Sequence, residues 1–85
     1  MKLTITVTAE DIRLGRPGDP YRCPITLAVL RHPSFKDKEV ATSCYFLVTN
    51  FCGVYRLPPE AISFIKAFDT AMKVKPLSFE IEVPE

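Results

Sequence analysis

The sequence has no tryptophan, three glycines and three cysteines among its 85 residues, and each scarcity excludes a class of protein. So few glycines leave no glycine-rich phosphate cradle, and the common nucleotide-binding and hydrolase motifs do not occur. Small secreted domains usually have many cysteines, in an even number, that pair as disulfides. Three cysteines do not fit that pattern and favour reduced thiols. No apolar run is long enough for a secretory signal or a membrane span. We therefore expect a cytoplasmic protein without a membrane partner.

The composition that is present is that of an ordinary globular protein. Hydrophobic residues make up 47% of the chain and charged residues 25%, with a formal net charge of +1. A chain of this length has room for one core, so residues 1–85 are predicted to form a single domain. A net charge this small gives no field strong enough to make nucleic acid or an anionic membrane the default partner.

The two ends of the chain have the alternation of β-strands with one buried face. Leucine, isoleucine and valine alternate with threonine over residues 2–8, and apolar residues alternate with serine and glutamate over residues 77–83. Thr8 and Asp11 have the spacing of a capping box, which predicts a short helical turn after the first strand. Residues 13–20 contain two glycines and two prolines and are predicted to be a loop.

Two further helices are predicted, each beginning at a proline. Pro24 opens a short helix over about 24–31, because proline at the first helical position loses no needed N–H group. Pro58 and Pro59 precede the clearest helical pattern of the chain. Its predicted apolar stripe consists of Ala61, Ile65, Phe68 and Met72.

A hairpin is predicted between these helices. Residues 39–48 are rich in β-forming residues, residues 50–53 supply turn chemistry, and residues 54–57 can return as a partner strand. The order strand, helix, hairpin, helix, strand predicts an α+β fold, a βαββαβ ferredoxin-like two-layer sandwich with a mostly antiparallel four-stranded sheet. If the first helix does not pack, a sheet carrying only the second helix is the alternative.

Four segments, TITVTAEDI, CPITLAV, LPPEAISFIKAFD and VKPLSFEIEVP, together resemble a group of small proteins of tailed bacteriophages and prophages. The resemblance spans most of the chain and supplies no catalytic motif. It implies a phage accessory protein, and since such proteins often bind and block a host component, it implies an inhibitor in the host cytosol. Some members have another cysteine shortly before the one that matches Cys23, and residues 19–22 here contain none.

Cys23 is the main candidate for chemistry. A helix N-terminus and the neighbouring Arg22 can lower a thiol pKa, which would make Cys23 a nucleophile. His32, the single histidine, is expected at the other end of that helix, so a small packing residue is the favoured interpretation. Cys23, His32, Cys44 and Cys52 lack the close cysteine spacing of a zinc knuckle. We therefore expect no enzyme activity, metal or cofactor.

The loops around the first predicted helix are basic. Residues 13–38 contain six basic and two acidic residues. If the loops converge, they can bind phosphates or an acidic protein, with Tyr21 and Phe35 offering aromatic contact. The candidate binding residues of this region are Arg13, Arg16, Tyr21, Arg22, Arg31, Phe35 and Lys36.

The outer side of the hairpin is a second candidate surface, because Tyr45, Leu47 and Tyr55 exceed what a solvated strand needs. The hairpin edge can also pair with a second copy of the chain to form a homodimer. Together these features favour a non-catalytic binding protein that inhibits a host or defence protein. The alternatives are a nucleic-acid or nucleotide-signal binder that uses the basic loops, and a thiol enzyme centred on Cys23.

Overall fold

Three α-helices and five β-strands make up the part of the chain that the structure, a computed structural model, describes: residues 2–35, 39–43, 46–49 and 53–82. The elements are β1 (Lys2–Val7), α1 (Ala9–Leu14), α2 (Pro24–Arg31), a 3-10 turn (Pro33–Phe35), β2 (Val40–Thr42), β3 (Phe46–Thr49), β4 (Gly53–Arg56), α3 (Pro59–Asp69) and β5 (Leu77–Glu82). Helices and antiparallel strands thus occur together in one small α+β fold, which confirms the predicted class.

The two terminal strands pair with each other. β1 and β5 run antiparallel, with Leu3 opposite Ile81 and Ile5 opposite Phe79. These four side chains are buried, while the threonines of β1 and Ser78 and the glutamates of β5 are exposed. The alternation predicted for both ends of the chain is confirmed, because one face of this sheet covers the core and the other meets solvent.

Local signals fix the starts of α1 and α2. The hydroxyl of Thr8 accepts from the Asp11 N–H at 3.2 Å, and the Asp11 carboxylate accepts from the Thr8 N–H at 2.8 Å. This reciprocal pair is the predicted capping box. α2 begins at Pro24 and ends at Arg31, as predicted. α2 packs against α1, β1 and β2.

α3 is shorter than its apolar periodicity predicts. Ala61, Phe64, Ile65 and Phe68 are buried, but the helix ends at Asp69 and Ala71 has a positive φ of 61°. Met72 is therefore not part of the predicted stripe and is 64% exposed. Among the described residues no helix is long and apolar enough to cross a membrane.

The predicted strand over residues 39–48 is wrong, because this segment reverses direction. β2 and β3 pair antiparallel, with Ala41 opposite Val48 and Thr42 opposite Leu47. β3 then pairs with β4, which confirms the predicted hairpin in part. A continuous run of β-forming residues carries little information about where a chain turns, and Ser43 is the one residue of typical turn chemistry between the two strands.

The ladders consequently form two sheets in the described part of the chain, β1-β5 and β2-β3-β4. The predicted single four-stranded ferredoxin-like sheet is corrected by this arrangement. Both sheets and the helices still contribute to one cluster of buried residues, which includes Ile5 of β1, Val29 of α2, Tyr55 of β4 and Ile65 of α3. The Cα radius of gyration, 11.6 Å, is that of a compact chain of this length.

Candidate protein-binding surface

The four arginines predicted to form a binding site divide into two pairs with different surroundings. Arg13 hydrogen-bonds Glu10 on the surface of α1, and this bond and the charge of Glu10 raise the pKa of the guanidinium. Arg31 forms an ion pair with the buried carboxylate of Asp11 and donates to the Thr6 carbonyl oxygen at 3.0 Å. The side chains of Arg13 and Arg31 are therefore engaged within the fold.

Arg16 and Arg22 lie together at the neck of one loop. The Arg16 N–H donates to the Arg22 carbonyl oxygen at 2.9 Å, and the Arg22 N–H donates to the Asp19 carbonyl oxygen at 3.1 Å. Both arginines are exposed, and neither forms an ion pair with any residue that the structure describes. Two guanidinium groups are thus presented to solvent from adjacent points of the backbone.

The carboxylates near this loop hold its backbone in place. Asp19 Oδ1 accepts from the Tyr21 N–H at 3.0 Å, and Asp69 Oδ1 at the end of α3 accepts from the Gly18 N–H at 3.0 Å. The Asp19 bond thus stabilises a turn within the loop, and the Asp69 bond ties the loop to the end of α3. The carboxylates of Asp19 and Asp69 thus accept from backbone amides, while the side chains of Arg16 and Arg22 are exposed to solvent.

Exposed apolar side chains occur in and before the loop and shortly after α3, whose last residue is bonded to the loop. Among the described side chains four large hydrophobic residues are more than half exposed, and three of them belong to this region: Leu14 at 52%, Tyr21 at 65% and Met72 at 64%. Leu14 precedes the loop, Tyr21 lies in it, and Met72 follows its anchor Asp69 by three residues. We call Leu14, Arg16, Tyr21, Arg22 and Met72 the loop surface.

Sequence reasoning identified three members of the loop surface and missed two. Leu14 lies within the loop predicted over residues 13–20, although in the structure it ends α1, and its aliphatic side chain carries no charge or ring that marked it as a binding residue. Met72 lies at the fourth position of a helical apolar pattern, and its exposure results from the end of α3 three residues earlier. The lysines and the proline over residues 73–76 were the available signal that the helix ends before them.

Two aromatic residues predicted to offer contacts are buried. Phe35 is 1% exposed and Tyr55 is 4% exposed, and their rings pack edge to face with centroids 6.0 Å apart. This packing corrects both predictions, because these rings stabilise the core under the 3-10 turn and β4. Of the remaining candidates, Lys36 and Tyr45 lie outside the described residues, and for Leu47 only the backbone position opposite Tyr55 is described.

Cys23 is placed where thiolate chemistry is disfavoured. It is the N-cap residue of α2 and is 5% exposed. Burial raises the pKa of the Cys23 thiol, against the smaller opposing effect of bonds from the Ile25 and Thr26 amides. His32 lies at the other end of α2, where its ring packs edge to face on Phe35. The expected separation of the cysteine and the histidine is thus confirmed.

No metal cluster is found within the described ranges, where no three His, Cys, Asp or Glu side chains come close enough to hold an ion. Cys44 and Cys52, which belonged to the four-residue set weighed for zinc, lie outside those ranges. The loop surface therefore consists of side chains that face solvent and can contact a partner. Within the described residues it includes no group of metal ligands.

A second feature is an open cleft of about 600 Å³ between the start of α3 and the β1-β5 sheet. Lys2 and Arg56 line it together with Glu60, Glu80 and Glu82, above an apolar floor that includes Ile62. The cleft mixes charges of both signs, and the described residues that line it include no cysteine, histidine or serine. The cleft therefore does not favour a ligand of one charge, whereas the two arginines of the loop surface favour a negatively charged one.

Comparisons with protein-family models, with curated proteins and with solved structures find no match for this chain.

Proposed function

We propose that this chain is a non-catalytic binding protein that recognises another protein through the loop surface. The observation that carries the proposal is the exposure of two arginines without ion-pair partners among the described residues, on a loop that also exposes Tyr21 and is tied to the end of α3 by the bond from Gly18 to Asp69. Arginine, tyrosine and methionine are enriched where proteins bind each other, and arginine and tyrosine often contribute most of the binding energy. An anchored loop also loses less conformational entropy on binding than a free one.

The resemblance to small phage and prophage proteins favours one form of this function. We propose that the partner is a host or defence protein in the cytosol of the infected cell, and that binding blocks it. The loop surface is suited to such a role because blocking requires only a stable contact.

The alternative of nucleic-acid binding is less well supported by the geometry. Arg13, one of the residues that this alternative needs, is paired with Glu10, and Arg31, another basic residue of the region, is paired with Asp11. Affinity for nucleic acid comes largely from several phosphate contacts made together. Two remaining arginines on a chain of net charge +1 supply few of them.

The thiol-enzyme alternative is also less well supported. The Cys23 thiol is buried and its pKa is raised, whereas a nucleophilic cysteine needs an accessible thiolate. A hairpin-edge homodimer would use β2 or β4, the two outer strands of the three-stranded sheet, which have three and four residues. Strands so short offer few hydrogen bonds to a second copy.

The test compares partner capture by matched variants. The variant R16A/Y21A/R22A removes the polar and aromatic part of the loop surface, and V54A/R56A removes an exposed apolar residue and an arginine from β4. Host cytosol is passed over each immobilised protein, retained proteins are quantified by mass spectrometry, and the affinity of any purified partner is then measured by calorimetry. We expect a partner retained by the wild type and V54A/R56A and lost by R16A/Y21A/R22A. A partner retained equally by all three, or a catalytic turnover in the host extract, contradicts the proposal.

A further inference from the structure

We infer that the outer edge of β5 binds an extended segment of another protein as an added β-strand, with a lysine or arginine of that segment opposite Glu80. Glu80 lines the open cleft of about 600 Å³ beside α3. The cleft shares no residue with the loop surface, so this second contact goes beyond the proposed function.

The direction of the β5 backbone groups follows from bonds made by β1. The Thr6 carbonyl oxygen accepts from Arg31 at 3.0 Å, and the Thr8 N–H donates to Asp11 at 2.8 Å. Neither Arg31 nor Asp11 belongs to β5, so the even-numbered residues of β1 direct their backbone groups away from β5. In an antiparallel ladder, two opposite residues either exchange both bonds or direct both away.

The strand register then identifies the outward groups of β5. Ser78 lies opposite Thr6 and Glu80 lies opposite Thr4, so their N–H and C=O groups point away from β1. On that side β5 has no ladder partner in the part of the chain that the structure describes. We call the N–H and C=O groups of Ser78 and Glu80 the β5 edge.

Other strand edges are bonded by the chain itself. Arg31 bonds the Thr6 carbonyl of β1, and the Thr42 N–H of β2 donates to the Pro20 carbonyl oxygen at 3.0 Å. Across the cleft from Glu80 lie residues 57–59, two of which are prolines without an N–H group. This wall lacks donors for a ladder, so the β5 edge is open to an added strand.

Charge opposite Glu80 selects the incoming strand. The cleft as a whole carries both signs, because Lys2 and Arg56 line it together with three glutamates. Within the ladder, Lys2 faces Glu82, whereas Glu80 faces the neutral Thr4. A basic residue of the added strand directly opposite Glu80 therefore forms an opposite-charge cross-strand pair, which stabilises a sheet.

A second copy of this chain fits the β5 edge poorly. Two copies related by a twofold axis pair antiparallel, with outward residues facing each other. In the registers centred on Glu80 or on Ile81, glutamates lie opposite glutamates, and like charges directly opposite each other destabilise a sheet. The register centred on Phe79 ends at Pro76, which has no N–H group.

Synthetic peptides of one alternating pattern test strand addition. Val-Thr-Val-Lys-Val-Thr-Val, acetylated and amidated, presents lysine on the same face as Glu80 and valine toward the apolar wall of the cleft. Binding to the full chain is measured by NMR titration. We expect the Lys peptide to bind, its Gln counterpart to bind about twofold to fivefold more weakly, and its Glu counterpart to be the weakest.

Hydrogen exchange reports the backbone bonds. In the free protein the Ser78 and Glu80 amides should exchange faster than those of Phe79 and Ile81, which pair with β1. At a Lys-peptide concentration of about ten times Kd, both edge amides should slow about tenfold. N-methylation of the peptide at lysine and at the adjacent valine should have unequal effects, one weakening binding about tenfold or more, because alternate N–H groups of a strand point to opposite sides.

Variants assign the charge preference. Glu80→Gln should bind the Lys peptide about twofold to fivefold more weakly, and Glu80→Lys should prefer the Glu peptide. Glu10→Gln, which changes an exposed glutamate outside the cleft, is the matched control and should bind as the wild type does. Urea unfolding checks that each variant keeps its fold. R16A/Y21A/R22A should also bind as the wild type does, so this contact and the proposed function are tested separately.

Four results would overturn the inference: no binding of the Lys peptide, equal binding of the Lys and Glu peptides, equal effects of the two N-methyl groups, or protection of both edge amides in the free protein. Light scattering distinguishes the last case, since a dimer with these amides protected would identify a second copy as the occupant.

Discussion

Arg31 donates a hydrogen bond from Nη1 to Oδ1 of Asp11, a residue that is 2% exposed. The other carboxylate oxygen, Oδ2, accepts from the Thr8 N–H at 2.8 Å and the Thr8 hydroxyl at 3.1 Å. The two oxygens are thus bonded from α2 on one side and from the N-cap of α1 on the other. This buried carboxylate joins two helices that are separated in sequence by a long loop.

The Arg31 bond should be important for stability. Arg31→Met keeps most of the aliphatic stem but leaves Oδ1 of Asp11 without its donor, and we expect the free energy of unfolding in urea to fall by about 1.5–3 kcal/mol. Arg13→Met is the matched control, since the Arg13–Glu10 pair lies on the surface, where such pairs contribute little. Equal effects of the two substitutions would show that Asp11 is well solvated without Arg31.

A chain of buried hydroxyls joins the loop, α2 and β2. Thr26 is fully buried and its hydroxyl donates to the Pro20 carbonyl oxygen at 2.6 Å, so the Thr42 hydroxyl must donate to Thr26, also at 2.6 Å. Thr26→Val removes the acceptor of Thr42 and should destabilise by about 1–3 kcal/mol. Thr42→Val leaves the bond from Thr26 to Pro20 intact and should cost less.

The order of the two single losses checks the direction of this chain in urea unfolding, and the double-mutant cycle checks that the two hydroxyls are coupled. Once Thr42 is valine, Thr26→Val no longer leaves a buried donor without a partner, so the two losses should sum to more than the loss in the double variant. Additive losses would show that the hydroxyls do not interact, and a larger loss from Thr42→Val than from Thr26→Val would contradict the assigned direction.

The stability of the protein should fall at alkaline pH because of Cys23. Burial raises the pKa of the folded thiol above the unfolded value of about 8.5. The stabilising contribution is complete below the unfolded pKa and is lost as the pH rises toward the folded pKa, since the unfolded chain then releases a proton that the folded chain keeps. The slope attributable to one thiol is at most about 1.4 kcal/mol per pH unit.

Urea unfolding of the wild type and Cys23→Ala between pH 8 and pH 10 measures this contribution. Cys44 and Cys52 are common to both proteins, so the difference between the two slopes belongs to Cys23. We expect the flatter dependence in Cys23→Ala. A steeper decline in the variant, or identical slopes, would show that the folded thiol titrates as the unfolded one does.

Two glycines beside the loop surface are required for different reasons. Gly18 has a φ of +74° and its missing Cβ would meet no atom within 4 Å, whereas a Cβ on Gly15 would lie 2.6 Å from Cγ of Pro24. Gly18→Ala should cost about 1 kcal/mol through backbone strain, and Gly18→Asn less, because asparagine tolerates this conformation. Gly15→Ala should cost about 1–3 kcal/mol through overpacking, and Gly15→Asn at least as much.

Thermal or urea unfolding of the four glycine variants distinguishes these reasons. The order of Ala and Asn should reverse between the two positions. If Asn is no better than Ala at position 18, the positive φ is not what requires glycine there.

The features predicted well were those encoded within a few residues. The capping box of Thr8 and Asp11 depends on a spacing of three, and α2 begins where Pro24 allows it to begin. The alternation of β1 and β5 likewise needs no knowledge of the partner strand, because burial of one face follows from period two. The α+β class follows from these elements alone.

The errors arose where long-range contacts decide the outcome. Residues 39–48 have β propensity throughout, and the reversal between β2 and β3 reflects pairing of Ala41 with Val48 instead of a strong turn signal. Phe35 and Tyr55 lie in segments that were predicted to be exposed, yet they pack on each other. An aromatic residue is compatible with an interface and with a core, and its sequence neighbours do not distinguish the two.

The sequence by itself determined β1, β5, the starts of the helices and a surplus of basic residues around α2, since propensity, capping and periodicity act over short distances. Only the tertiary structure decided which arginines remain available. Arg31 is engaged because folding brings it to Asp11, 20 residues away in sequence, while Arg16 and Arg22 are exposed and form no ion pair with a described residue. Charge pairing depends on distances of a few ångströms in space, and the fold alone sets those distances.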